Sequence, residues 1–319
     1  MHPESKPASP QGAPRPFKRV IVAVDAGGAS MKAVDYASRL CSPQSHVLVL
    51  GFFEDPAAYL KPHSRTQADV SAAFEELRRD ELEALEHART TLQRSGASVQ
   101  LRLLGPALGK GEISAGLARV AEEWNADLVI VGAEPSAGIL SLLASKVSVS
   151  LAEHTHRAIL VVPSVAEAST LRMPQRILFA VDGSEASLHA VRVGMQLAPA
   201  RAHLMAMFIE DRGVDLAELR KFVLSPAQDV KSAENVLDRA VAIMTEYGAG
   251  MAVERLVSHT RMTEDVAAAI KREAAQWGAD VVVIGAQDRG GMFSWFRGHE
   301  NERVAREIDR PLLVVNVAG

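Results

Sequence analysis

Asp280 to Val315 reads DVVVIGAQDRGGMFSWFRGHENERVAREIDRPLLVV, and its order of residue types decides the fold. Four apolar, β-branched residues, Val281 to Ile284, come near its start. A run that short and that apolar predicts a strand buried on both faces, as in a parallel sheet. Gly285 ends the run. A loop with adjacent glycines, Gly290 and Gly291, follows, and Gly298 opens a polar, helix-competent segment, His299 to Asp309. Pro311 stops that segment, because its ring cannot continue a helix. Leu312 to Val315 then reads as another buried strand. Strand, glycine loop and helix start present backbone N–H groups and the positive end of a helix dipole to a phosphate. Gly298 has a second reading, as no more than the turn before a helix.

Most of this framework occurs twice. WNADLVIVGAE (124–134) answers WGADVVVIGAQ (277–287), and VIVAVDAGGAS (20–30) answers LFAVDGSEAS (178–187). Two matches in the same order at nearly the same offset mark a duplicated module. In the first copy, strands are expected at Arg19–Val24, His46–Phe52, Val99–Leu103, Leu128–Val131 and Ile159–Val162. Val99, Leu101 and Leu103 alternate with polar residues, which places that strand near a sheet edge. Helices are expected from Ser30, as cap, to Cys41, over Gln67–Arg94 and Glu112–Trp124, with a short one over Lys146–His154. The Glu-rich run from Glu75 to Glu86 reads as a solvated helix face. The second copy repeats the order: strands at Arg176–Val181, His203–Ile209 and Met251–Val257, and helices from Ser184 to Leu197, Pro226–Tyr247 and Met262–Trp277. Trp124 and Trp277 are expected to pack helix against sheet.

Alternating strands and helices predict an α/β fold of two tandem doubly wound parallel-sheet domains, each a five-stranded sheet flanked by helices. The expected layout is a disordered tail over 1–16, a domain over 17–163, a linker over 164–174 and a domain over 175–319. Ligands of such sheets bind outside the carboxyl ends of the strands, near the point where strand order reverses. Asp25, Asp182, Gly132 and Gly285 all fall at strand carboxyl ends. Asp182 with Gly183 and Ser184 also makes a good turn and helix cap on its own.

Composition excludes several classes. The chain has 319 residues, 48% apolar and 23% charged, with a net charge of −4. Without a basic excess it is not expected to bind nucleic acid. No apolar run approaches the roughly 18–20 residues that span a bilayer, so no membrane association is expected. The single cysteine, Cys41, rules out an internal disulfide and is expected to end a helix as a small buried group. A cytoplasmic setting fits. The sequence shows no G-x-S-x-G elbow, P-loop or H-E-x-x-H spacing. No catalytic constellation and no metal site are expected.

Each half resembles a universal stress protein domain, and the chain after its first 16 residues resembles a tandem member of that family. The nucleotide-binding members carry G-x2-G-x9-G-[S/T] after the fourth strand and an Asp at the end of the first. The resemblance implies an adenine nucleotide α-hydrolase-like fold and ATP or another adenine nucleotide as ligand. Gly285 stands at the first glycine, Asp288 at the second and Gly298 at the third. His299 takes the hydroxyl position, and Asn301 lies where a second phosphate-contacting hydroxyl often sits. Asp182 matches the family's Asp, with Val181, Gly183, Ser184 and Phe208 completing the implied nucleotide set. Asp288 opposes a phosphate unless a Mg²⁺ lies between them, while Arg289 and Arg297 flank the loop. Phe293, Trp295 and Phe296 read as pins for the loop or as a base-stacking platform.

The first half departs further. Asp25 and Gly132 are kept, but Pro135, Ser145 and Lys146 replace the second glycine, the third glycine and the hydroxyl. Pro135 has no N–H to donate, and Glu134 repels phosphate. A degenerate first site is therefore expected. Single-domain relatives pair through their last strand, so Ile159–Val162 and Leu312–Val315 are expected to meet within this chain. That leaves room for a homodimer and for an unknown protein partner. A nucleotide-free interaction scaffold is the competing expectation.

Overall fold

The computed structural model describes residues 17–54, 66–107, 110–133, 151, 154–164, 166, 173–210, 226–248, 250–261, 264–286 and 309–316. The tail over 1–16, most of the short helix expected at Lys146–His154 and nearly all of the helix expected at His299–Asp309 lie outside them.

Among the described residues ten strands form one sheet: β1 (Arg19–Val24), β2 (His46–Glu54), β3 (Ser98–Ala107), β4 (Leu128–Ala133), β5 (Ala158–Pro163), β6 (Arg176–Ala180), β7 (His203–Glu210), β8 (Ala252–His259), β9 (Val281–Ala286) and β10 (Leu312–Asn316). Their order across the sheet is β3-β2-β1-β4-β5-β10-β9-β6-β7-β8. All pairs are parallel except β5 with β10, where the two halves join antiparallel, Leu312 opposite Val161 and Val314 opposite Ile159. The predicted meeting of the two last strands is observed. It hides the edges of two fully buried, mostly apolar strands that would otherwise invite aggregation. The outermost strands are β3, as its alternation predicted, and β8, and exposed Arg102 and Arg255 lie on them.

Among the described residues six α-helices cover the sheet: α1 (Gly28–Leu40), α2 (Gln67–Gln93), α3 (Lys110–Glu123), α4 (Glu185–Gly194), α5 (Pro226–Tyr247) and α6 (Val266–Trp277). Successive side chains of a strand point to opposite faces. Val20, Val22 and Val24 of β1 accordingly enter one apolar cluster and Ile21 the other. Each cluster draws residues from both halves, so the core runs unbroken across the seam.

The repeated sequence anchors are repeated structures. Asp127 accepts from the backbone N–H groups of Lys18 and Arg19, and Asp280 from those of Gln175 and Arg176. Arg19 lies over the ring of Trp124 at 4.5 Å, and Arg176 over Trp277 at 4.2 Å. Both tryptophans pack against the sheet, as expected, and the stacked arginines add a cation–π contact to each. Asn125 takes φ +50° where the second copy has Gly278 at φ +70°. Both leave a helix through the left-handed region, which asparagine tolerates better than other side chains.

Cys41 caps the C-terminus of α1 and is buried, and burial pushes its thiol up to about 12. Ser30 corrects an expectation. The N-cap of α1 is Gly27, and Ser30 lies inside the helix, its hydroxyl donating back to the carbonyls of Asp25 and Gly27 at 2.8 Å.

Candidate functional site

In each half the strand order reverses between the first and fourth strands. From β6 the chain moves outward to β7 and β8, then returns to β9 on the other side. Ala180 of β6 pairs with Ile284 of β9, so Val181 and Gly285 continue side by side. The helix that follows β6 starts directly over this point. A Cβ added at Gly285 would stand 2.5 Å from the carbonyl of Ala186 and 2.6 Å from the nitrogen of Ser187. Only a glycine lets the first turn of α4 lie that close to β9.

Asp182 ends the β6 segment. Its Oδ1 accepts from the Ser184 N–H at 2.9 Å, and the Ser184 hydroxyl accepts from the Ser187 N–H at 3.1 Å. Ser184 is therefore the N-cap of α4. Gly183 between them takes φ +83°, with Val236 of α5 packed where its Cβ would be. Arg239, also of α5, donates to the Gly183 carbonyl and pairs with Glu185. Phe208 lies half-buried near the carboxyl end of β7. Acceptor, helix N-terminus and close-packed glycine thus converge where the sheet topology predicts a ligand crevice.

The first half builds the same turn differently. Gly132 repeats the role of Gly285, with a Cβ there 2.5 Å from the Ala29 carbonyl oxygen. Asp25 Oδ1 accepts from Gly27 N–H at 2.9 Å. The residue between them is Ala26, and its N–H donates to Oε2 of Glu81 at 3.2 Å. Glu81 belongs to the run read as a solvated face, yet it is 4% exposed. Its carboxyl lies against Gly51 of β2, where a Cβ would stand 3.1 Å from Oε1. Burial, reinforced by the neighbouring Asp25, pushes this carboxyl up to about 8, so at neutral pH it is held largely as the acid.

The universal stress protein family model matches residues 16–163 and again 173–316. The chain belongs to the universal stress protein family. A universal stress protein of Mycolicibacterium smegmatis is 25% identical over 311 residues, covering 93% of this chain and 96% of that protein. Among solved structures, a universal stress protein from Archaeoglobus fulgidus shares the fold with a TM-score of 0.62 at 15% identity, covering 95% of this chain and 97% of that one. A functionally unknown protein from Pseudomonas aeruginosa PAO1 follows with a TM-score of 0.50 at 19% identity, covering 94% of this chain and 92% of that one.

Of the residues read as the family's nucleotide site, Val181, Asp182, Gly183, Ser184 and Gly285 lie together at the β6–β9 reversal, with Phe208 near the end of β7. Asp288, Gly298, His299 and Asn301 lie outside the described residues, as do Arg289, Arg297, Phe293, Trp295 and Phe296. In the first half Asp25 and Gly132 flank the equivalent reversal, while Glu134, Pro135, Ser145 and Lys146 lie outside. Among the described residues no three metal-ligating side chains cluster, and no helix is long and apolar enough to cross a membrane. Sequence reasoning missed Glu81. Its signal was available: Glu81 stands four residues before the buried Leu85, on the stripe that continues through Ala88 and Leu92.

Proposed function

We propose that this universal stress protein is a stress-response regulator that binds an adenine nucleotide, ATP or AMP, mainly in its second half. One observation carries the reading. Asp182, the N-cap Ser184 and the close-packed Gly285 surround the start of α4 at the strand-order reversal. A carboxylate beside capped backbone N–H groups suits a ligand with a hydroxyl-bearing sugar at one end and anionic oxygens at the other. Asp288, Gly298, His299 and Asn301 would face the phosphates, with Mg²⁺ between Asp288 and the phosphate oxygens. In this reading the chain is two units, 17–163 and 175–319, joined by 164–174.

Isothermal titration with ATP, ADP and AMP tests it, repeated on Asp182→Ala and Gly298→Val. Saturable binding to wild type that both substitutions weaken supports the reading. A second reading rests on its own observation: Gly132 and Gly285 are both accounted for by the helix backbones packed on them. A family fold can keep both glycines after losing its ligand. Absence of heat with all three nucleotides would favour that nucleotide-free interaction scaffold.

A further inference from the structure

The two halves exchange size at three matched positions. Helix α2 lays Leu85, Ala88 and Leu92 on the sheet, and α5 lays Leu237, Ala240 and Met244 there with the same spacing. Four residues before each stripe stand Glu81 in the first half and Ala233 in the second, both buried. Opposite them, Val24 of β1 pairs with Gly51 of β2, while Val181, one step past the Ala180–Met207 pair, stands at Phe208. Between Asp and cap, the first half has Ala26 and the second Gly183 at φ +83°. Small Gly51 makes room for the Glu81 carboxyl; in the second half the matched positions hold buried Ala233 and half-buried Phe208.

Glu81 is poorly placed for stability. Its Oε1 accepts no hydrogen bond of good geometry among the described residues, although the Phe52 N–H acts on the carboxyl, and it sits among the side chains of Leu85 and Leu103 that also approach Gly51. A buried carboxyl oxygen without a well-formed hydrogen bond costs free energy that an alanine there would not. Its other oxygen takes the N–H of the residue that follows Asp25.

We propose that Glu81 is a specificity-determining residue that closes the first half to the ligand, its carboxyl occupying the ends of β1 and β2 beside Asp25. The chain then takes one nucleotide, in the second half. This rests on the function proposed above, but its test separates the two. Bound adenosine per chain is counted by equilibrium dialysis. Adenosine has no phosphates, so the count does not depend on the loop carrying Pro135. Wild type is expected to hold one adenosine and Glu81→Ala two. Asp182→Ala is expected to hold none, and the Glu81→Ala, Asp182→Ala double variant one. Glu81→Gln keeps the shape and the acceptor for Ala26, and is expected to stay at one. In the reverse direction, Ala233→Glu with Phe208→Gly transplants the arrangement and is expected to bring the count to zero with the circular-dichroism spectrum retained. If wild type holds none and Glu81→Ala one, the inference stands and the second-half site falls. Two adenosines on wild type, an unchanged count in Glu81→Ala, or a gain in Glu81→Gln would each overturn the inference.

Discussion

Asn316 at the end of β10 donates from Nδ2 to the backbone carbonyl of Thr155, just before β5, at 2.6 Å. Both residues are buried. The bond crosses the seam where the halves join antiparallel, and an amide held there fixes the register that three apolar residue pairs leave loosely specified. Asn316→Leu leaves the buried Thr155 carbonyl without this donor. The expected loss is about 1–3 kcal/mol, read as a lower urea midpoint with an unchanged denaturant slope. An unchanged midpoint would assign the seam to apolar contacts alone.

Gly285 and Gly132 predict a sharp contrast with Gly28. A Cβ at either of the first two would collide with helix backbone at 2.5 Å, whereas nothing lies within 4 Å of one at Gly28. Gly285→Ala and Gly132→Ala must push α4 or α1 off the sheet, at a cost of about 1–3 kcal/mol or more. Gly28→Ala, at the start of α1, is expected to stay within about 0.5 kcal/mol of wild type or to stabilise slightly. Thermal melts of the three variants check this, and equal effects would contradict the packing role.

The strands were legible because burial on both faces leaves one kind of residue at every position. RVIVAV, LVIV and LLVV therefore read as strands without ambiguity, and the observed ends differ by two residues or fewer in most of them. The Ser30 cap was misread because Gly27, two residues past Asp25, takes the extended backbone of an N-cap without a side chain to announce it. Glu81 was misread for a different reason. One buried carboxyl in a run of six carboxylates between Glu75 and Glu86 carries no mark of its own, and only the Gly51 gap in another strand explains where it goes. Of the proposed site, the half built by local turn chemistry was readable at Asp182, Gly183 and Ser184. The part set by partners distant in sequence, such as Val236 over Gly183, was not.

Ser184 separates folding from binding at that turn. Its hydroxyl caps α4 through the Ser187 N–H, so Ser184→Ala is expected to lose about 0.5–2 kcal/mol of stability. Ser184→Asp keeps an acceptor at the cap and is expected to restore stability, while adding negative charge where the proposed phosphates approach. Weaker ATP binding with restored stability in Ser184→Asp would identify the helix start as a phosphate-facing element. Unchanged ATP affinity would place the ligand elsewhere.

Glu81 gives the chain a pH dependence whose sign follows from its environment. Burial, with Asp25 and Asp80 adding negative charge and the N–H groups of Phe52 and Ala26 opposing, raises this carboxyl from an ordinary 4.5 to about 8. Below about 4.5 it is protonated in the folded and unfolded chain alike, and its contribution to stability is fully present. As pH rises toward about 8, the folded chain keeps a proton that the unfolded chain has released. Stability therefore falls across that window, by at most about 1.4 kcal/mol per pH unit, and the loss levels off above it. Glu81→Gln has no proton to lose. Urea unfolding at pH values from about 5 to about 9 should give the Gln variant a flatter profile than wild type, with the largest gain in stability at the alkaline end. Parallel profiles would mean that the carboxyl reaches water at the strand ends and ionises there as an ordinary glutamate.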